Sequence, residues 1–503
     1  MSLTSLQLIG LVAVGVFLYY TVCRKYQWQL LLVLSYIYYL ASGAKNIIFI
    51  ITTTVVTYLA AVFIEKSEQK NKKKILIAAL FVDFGILAIL KYTNFAIDII
   101  NNISGGNISF VNLLLPLGIS FYTFQSTGYI LDVYWKRTPA EKNIFKLALF
   151  VSYFPQIMQG PISRFNSLSD ELFKKHTAKF EEIEKALILI LYGLFKKMII
   201  ADNAAMYVNT IFNKYEQFDG LVIVGVLAYS LQLYGDFSGG IDVVRGISEL
   251  FGVRLVENFK QPYFAKSITD FWHRWHITLG TWMKDYVFYP VTLSKWMGRF
   301  QKFAKRKFGK KLGRSLPICI ANIIVFLVVG IWHGAAFKYI VYGLYNGIII
   351  GFSGIMADRY RAAKKKLNIN DKSKGFVLFQ IIRTFILVNI SWLFDMSADV
   401  KQAFIMFKNM FTKFDWTPLF DGSIFADNPG YISYMDIQFI AIAIGIIVVF
   451  IISVLKEKKI DVAQKVISLP WQVRGLMYLA VIFMLPMIGM PPDSVGGFIY
   501  AQF

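Results

Sequence analysis

Histidine and cysteine are scarce in this 503-residue chain, with four of the first and two of the second. The cysteines, Cys23 and Cys319, stand far apart and in no ligand spacing, so neither a disulfide framework nor a zinc site is encoded. Cys319 reads as a small buried hydrophobe rather than a nucleophile. Acidic residues are few, 31 against 53 lysines and arginines, which leaves a formal net charge of +22. No long polar linker, low-complexity stretch or internal repeat is present. That argues against a multidomain array and against a transporter assembled from paired halves. A Gly-rich phosphate loop and a Gly-x-Ser-x-Gly elbow are also missing, which removes the chemistries those motifs support.

What is abundant is apolar surface. Hydrophobic residues make up 56% of the chain and its mean hydropathy is +0.53. Apolar runs of roughly 20 residues, enough to span a bilayer, recur from end to end. The fold class expected is therefore an all-α polytopic membrane protein with roughly 11–14 transmembrane or re-entrant helices. A single membrane domain accounts for residues 1–503. The first run, Leu6–Tyr20, lacks a basic flank and a small-residue cleavage site and reads as a retained helix. The positive charge sits in short loops, chiefly Glu65–Lys74, Lys295–Arg314, Arg359–Lys374 and Lys456–Lys459. The positive-inside bias explains this distribution without nucleic acid and places the four loops in the cytoplasm. Threading the spans between them puts both termini outside, with Lys196-Lys197 on the inner side. The short candidates 221–236 and 239–252 read as two spans, with the Gly- and Asp-rich segment Gly235–Asp242 between them.

Polar side chains at membrane depth are costly and mark function by default. His333 lies in such a run, within Trp332-His333-Gly334-Ala335-Ala336. A neutral imidazole there suits a general base, and the small residues after it permit close approach. A histidine hydrogen-bonded structurally between helices fits its position equally well. His273 and His276 share Trp272-His273-Arg274-Trp275-His276, in a stretch, Glu257–Trp296, that mixes aromatics with charge and is too polar to span. That stretch reads either as an interfacial amphipathic helix or as a re-entrant element lining a chamber. The two histidines lie three apart, with no third ligand in spacing, so no metal site is expected. His176, beside Lys174-Lys175, reads as solvated. Asp236 and Asp242 are intramembrane carboxylates that fit a turn or the lining of a substrate path.

Several ordered motifs resemble the membrane-bound O-acyltransferase (MBOAT) family. They are Leu115-Pro116-Leu117-Gly118-Ile119-Ser120-Phe121-Tyr122, Gly160-Pro161-Ile162-Ser163-Arg164, Gly193-Leu194-Phe195-Lys196-Lys197, Asp236-Phe237-Ser238-Gly239, Glu257-Asn258-Phe259, Phe271-Trp272-His273-Arg274-Trp275-His276 and Trp332-His333-Gly334-Ala335. The match is densest over residues 90–360 and resembles the bacterial branch that holds alginate O-acetylation (AlgI-like) and teichoic acid D-alanylation (DltB-like) proteins. The resemblance implies a helical ring with a central funnel. It implies that His333 and His276 are catalytic and that Trp332, Trp275, Asp236 and Arg274 line the pocket or substrate path. It implies no tightly bound cofactor, and acetyl-CoA as donor with a carrier-protein thioester as the alternative. A glycan acceptor, an extracytoplasmic SGNH-type partner (AlgX- or DltD-like) and a bacterial cell membrane location follow from the same likeness. Residues 498–503 resemble the C-terminal aromatic hexapeptide of this branch. That makes Tyr500 a candidate acyl relay, an ordinary interfacial anchor being the other reading.

Overall fold

Where no water reaches the backbone, every N–H and C=O must pair internally, and a single chain without closed strands does this only as helix. The computed structural model describes residues 3, 5–412, 414–421, 424 and 432–489, and among them the regular structure is helical. Eight helical stretches are long and apolar enough to cross a bilayer: Gln27–Lys66, Gln69–Ser104, Asp219–Leu250, Lys295–His333, Phe337–Lys366, Lys374–Met396, Gln438–Glu457 and Trp471–Ile488. The sequence suggested more spans because it counted shorter apolar pieces. Residues 144–162, for instance, form two short helices, Ile144–Ser152 and Phe154–Gln159, broken at Tyr153-Phe154-Pro155. Residues 490–503, which include Tyr500, lie outside the described residues.

The chain forms two compact units. One comprises Met1–Asp202, Tyr234–Glu257 and the chain from Val454; the other comprises Asn203–Leu233 and Asn258–Ser453. In the first, aromatic side chains fill the centre: Tyr19, Tyr38, Phe150, Tyr153, Phe154 and Phe251 are all buried. The helix break at Tyr153 is capped rather than wasted. Ser35 Oγ accepts from Phe154 N–H at 3.1 Å, and the Tyr153 hydroxyl pairs with Ser248 Oγ at 2.8 Å.

Two expectations change here. Gly235–Asp242 is not a turn, because it lies inside one 29-residue helix, Val222–Leu250. Its glycines serve close approach: a Cβ on Gly239 would meet the Gly193 carbonyl oxygen at 2.7 Å. Nor is His176 solvated. It is buried, its Nε2 lies 2.8 Å from the Glu171 carbonyl, and its backbone N–H donates to Gln27 Oε1 at 2.9 Å. The basic neighbours suggested a wet loop, but the side-chain amide of Gln27 captures both backbone groups of His176.

In the second unit the helices Lys295–His333 and Phe337–Lys366 form a hairpin through extended Gly334 and Ala336. The first of them bends at Gly309 (φ 81°, ψ 171°), within the basic part that precedes the apolar length carrying His333. Small residues let the two backbones touch. A Cβ on Gly330 or Gly343 would lie 3.3 Å from the other's Cα and would overlap a main-chain carbonyl, that of Tyr339 or Phe326. Farther along, Cys319, read as a small buried hydrophobe, is half-buried and packs on Gly351.

Candidate active site

Glu257–Trp296 is not one amphipathic helix. It contains two helical pieces that meet at Trp275-His276: Ile268–Arg274, and Ile277–Met283 continued through Lys284–Phe288 and Tyr289–Thr292. The break is held by pairing with the preceding segment. Lys260 N–H donates to the Arg274 carbonyl at 2.9 Å and Ile277 N–H to the Asn258 carbonyl at 3.1 Å. His276 takes a left-handed backbone conformation (φ 46°, ψ 53°), unusual for a residue with a Cβ. Such strain persists only where surroundings enforce it, and it gathers at functional sites. Here it turns His276 inward, leaving it 2% exposed.

Burial pushes the His276 imidazole down to about 3, and the neighbouring His333 adds to the shift. The two histidines are thus within electrostatic reach of each other. Trp332 joins them, its indole edge-on to both rings at centroid distances of 5.8 Å to His276 and 5.3 Å to His333. His333 is 4% exposed and sits among aromatic rings, with Tyr342 at 5.1 Å and Tyr339 at 6.1 Å. Tyr342 in turn stacks on Trp392. Below His276 a cavity of about 530 Å³ is lined by Trp272, His273, Trp275, His276, Lys284 and Val329, among others.

The predicted residues do not all share this place. His333, His276 and Trp332 come together. Trp275 is buried beside them but packs into an aromatic layer, stacked on Phe271 and edge-on to Phe259. Arg274 is tied to Asp270 at 2.9 Å, which closes the turn of its own helix. Asp236 belongs to the other unit, where Lys197 Nζ contacts it at 2.5 Å and Asp202 at 2.7 Å. Its neighbour Lys196 is buried against Asp242 (2.8 Å) and Ser238 (2.9 Å). The two lysines are therefore interior ion-pair partners.

Two residues without an assigned role reach the histidines. Asn258 Nδ2 lies 3.2 Å from His276 Nδ1. Asp395 Oδ1 lies 3.6 Å from His333 Nδ1, and the Tyr229 hydroxyl donates to Asp395 Oδ2 at 2.7 Å. Lys338 Nζ secures the main chain there, donating to the Asp395 carbonyl at 2.9 Å. An acidic residue near the end of an apolar run was the available signal for Asp395; Tyr229 carried none. Among the described residues no three His, Cys, Asp or Glu side chains gather as a metal ion would require.

Two buried imidazoles, each with a polar side chain facing its Nδ1 and one of them, His276, lining a cavity, can move a proton at Nε2. Comparison with known proteins agrees with that chemistry. The family model for membrane-bound O-acyltransferases matches residues 137–393. A protein of Pseudomonas syringae pv. tomato named "probable alginate O-acetylase AlgI" is 35% identical over 405 residues, 79% of this chain and 73% of its own. The peptidoglycan O-acetyltransferase of Helicobacter pylori is 32% identical over 362 residues, 67% of this chain and 64% of its own. The teichoic acid D-alanyltransferase of Bacillus subtilis is 32% identical over 243 residues, 48% and 59% of the two chains. With a family match over half its length, a relative matched over most of both chains and a buried histidine pair at the family's motifs, this polytopic membrane acyltransferase belongs to the membrane-bound O-acyltransferase family.

Proposed function

We propose that the protein takes an acetyl group from cytoplasmic acetyl-CoA and delivers it across a bacterial cell membrane for O-acetylation of an exported or cell-wall polysaccharide. The observation that carries this reading is the buried pair His333 and His276, bridged by Trp332, with His276 lining a cavity. The likeness to proteins named for alginate and peptidoglycan O-acetylation supports acetyl as the group moved and a glycan as its destination.

His333 acts as general base. Its Nε2 takes the proton of the acceptor hydroxyl, whose oxygen attacks the thioester carbonyl carbon. The C–O bond forms, the C–S bond breaks, and the leaving thiolate recovers the proton from the imidazolium. His276 assists from the other side of Trp332. The acceptor hydroxyl is that of Tyr500, which then passes the acetyl group to an SGNH-type (AlgX- or DltD-like) partner outside. The basic loops face the cytoplasm and both termini the exterior, the orientation the positive-inside bias requires.

Replacing His333 by Ala tests the base. In membranes bearing the variant at wild-type level, label from [14C]acetyl-CoA no longer reaches glycan, and persistent transfer refutes the assignment. Tyr500→Phe tests the relay, since unchanged transfer leaves that tyrosine as an anchor. A second reading, D-alanyl transfer from a carrier-protein thioester to teichoic acid, draws on the likeness to the teichoic acid D-alanyltransferase. Feeding D-[14C]alanine in place of acetate separates the two.

A further inference from the structure

Asn258 and Asp395 each face the Nδ1 of one histidine, and chemically they are opposites. Asn258 Oδ1 accepts from Thr278 N–H at 2.9 Å and from the Thr278 hydroxyl at 3.0 Å. The backbone donor fixes which end of the amide is oxygen. The amide nitrogen, 3.2 Å from His276 Nδ1, donates. Oδ1 also approaches that Nδ1, at 3.4 Å, but already accepts twice. A ring nitrogen that accepts carries no proton, so neutral His276 holds its proton on Nε2.

Around His333 the polarity reverses. Asp395 is 3% exposed, and its Oδ2 and main chain are held by Tyr229 and Lys338. Its Oδ1 is buried without a hydrogen bond among the described residues, a costly state for a carboxylate oxygen. The His333 Nδ1 at 3.6 Å is the donor within reach. That spacing is just outside hydrogen-bond range, and catalytic hydrogen bonds commonly tighten when substrate binds. A carboxylate only accepts, so it draws the proton of neutral His333 to Nδ1 and leaves the lone pair on Nε2.

We propose that Asn258 and Asp395 set opposite tautomers in the two histidines, making Nε2 of His333 the proton acceptor and Nε2 of His276 a hydrogen-bond donor to the oxyanion formed on the thioester carbonyl. Asn258 and Asp395 are positioning residues, acting through the imidazoles. The assigned roles rest on the acyl-transfer reading above, whereas the tautomers are measurable without it.

With only four histidines, [15N]histidine labelling of the intact protein in detergent micelles gives four imidazoles, each assignable by single substitution. At pH 7.5 the expected spectrum has His276 protonated on Nε2 and His333 on Nδ1. Asn258→Asp keeps both Thr278 bonds but removes the donor, and it moves the His276 proton to Nδ1. Asp395→Asn loses the Nδ1-protonated form of His333, and Asp395→Glu retains it. The same tautomer at both histidines, or a His333 signal indifferent to Asp395→Asn, overturns the proposal.

Kinetics with [14C]acetyl-CoA in membrane vesicles supply the second arm. Asp395→Asn lowers kcat by about 10²- to 10⁴-fold with little change in KM. Asp395→Glu, which keeps the carboxylate, recovers most of that loss. Equal losses in Asp395→Asn and Asp395→Glu mark Asp395 as merely structural and also overturn the proposal. If instead His333→Ala still transfers acetyl, the proposed function fails while the tautomer assignment is judged on its spectrum.

Discussion

A methyl group on Gly330 tests whether helix packing sets the chemistry. Gly330 is buried one turn before His333, where the helices Lys295–His333 and Phe337–Lys366 cross. The added Cβ would overlap the Tyr339 carbonyl and press on Gly343 Cα at 3.3 Å. Main-chain atoms cannot rotate away as a side-chain tip can. One helix must retreat by about 1 Å in a densely packed interior. His333 rides on the helix that moves, whereas Asp395 belongs to a third helix, Lys374–Met396. The strain therefore falls on the 3.6 Å spacing between them and on the ring contact with Tyr342. A misplacement of about 1 Å costs on the order of 10²-fold in rate, equivalent to roughly 2.7 kcal/mol of transition-state stabilisation. Overpacking adds a stability loss of about 1–3 kcal/mol.

Gly354→Ala is the matched control, since it lies on the partner helix with nothing within 4 Å of the new Cβ. It is expected to leave the rate unchanged and to stabilise its helix slightly. The assay is the initial rate of acetyl transfer from [14C]acetyl-CoA at equal amounts of monodisperse protein, with thermal unfolding in the same detergent. A Gly330→Ala rate within about threefold of wild type, at unchanged Tm, would refute the claim that this crossing holds the base in place.

Other perturbations give distinct outcomes. Lys197→Met leaves Asp202 and Asp236 buried without their cation. It should cost about 3–5 kcal/mol, read as lost monodisperse protein on size-exclusion chromatography, and full recovery of folded protein would contradict the ion-pair account. His273 lines the cavity but is solvent-exposed, so His273→Ala should keep kcat within about threefold, measured by acetyl transfer. Burial lowers the His276 pKa from 6.5 to about 3, so the unfolded chain takes up that proton first and stability falls as pH drops from 6.5 towards 3. At pH 5 the penalty is roughly 2 kcal/mol. His276→Asn should therefore lose less Tm than wild type between pH 7.5 and pH 5, and equal losses would count against the burial.

The helical membrane class was legible because bilayer length and apolar runs leave little choice, and the histidines stood out because so few are present. What stayed hidden depends on partners distant in sequence. Asp395 lies 62 residues beyond His333, and the carboxylate's direction is set by Tyr229 on an earlier helix. The left-handed turn at His276 has no signature in its own residues. It arises from pairing of Asn258 and Lys260 with the far side of the break. The burial of Lys196 and Lys197 was equally hidden, because a basic pair at the end of an apolar run looks the same whether it meets water or buried carboxylates.

The buried polar groups of the two units thus illustrate different solutions to one cost. Lys197, Asp236 and Asp202 bring opposite charges into contact, so the desolvation of each is offset by the others and the group is fixed in one state. The histidines are buried uncharged, which is cheaper, and a neutral imidazole keeps two forms that differ only in where one proton sits. Carboxylates locked against lysines can stabilise a helix crossing. An imidazole whose Nδ1 is held by an amide or a carboxylate has its Nε2 assigned in advance, as donor or as acceptor. By this criterion Asp236 anchors its helices, and His333 with His276 is the pair suited to the proposed transfer. The partner at each Nδ1 decides which role its imidazole takes, so exchanging those partners is a sharper trial than deleting either histidine.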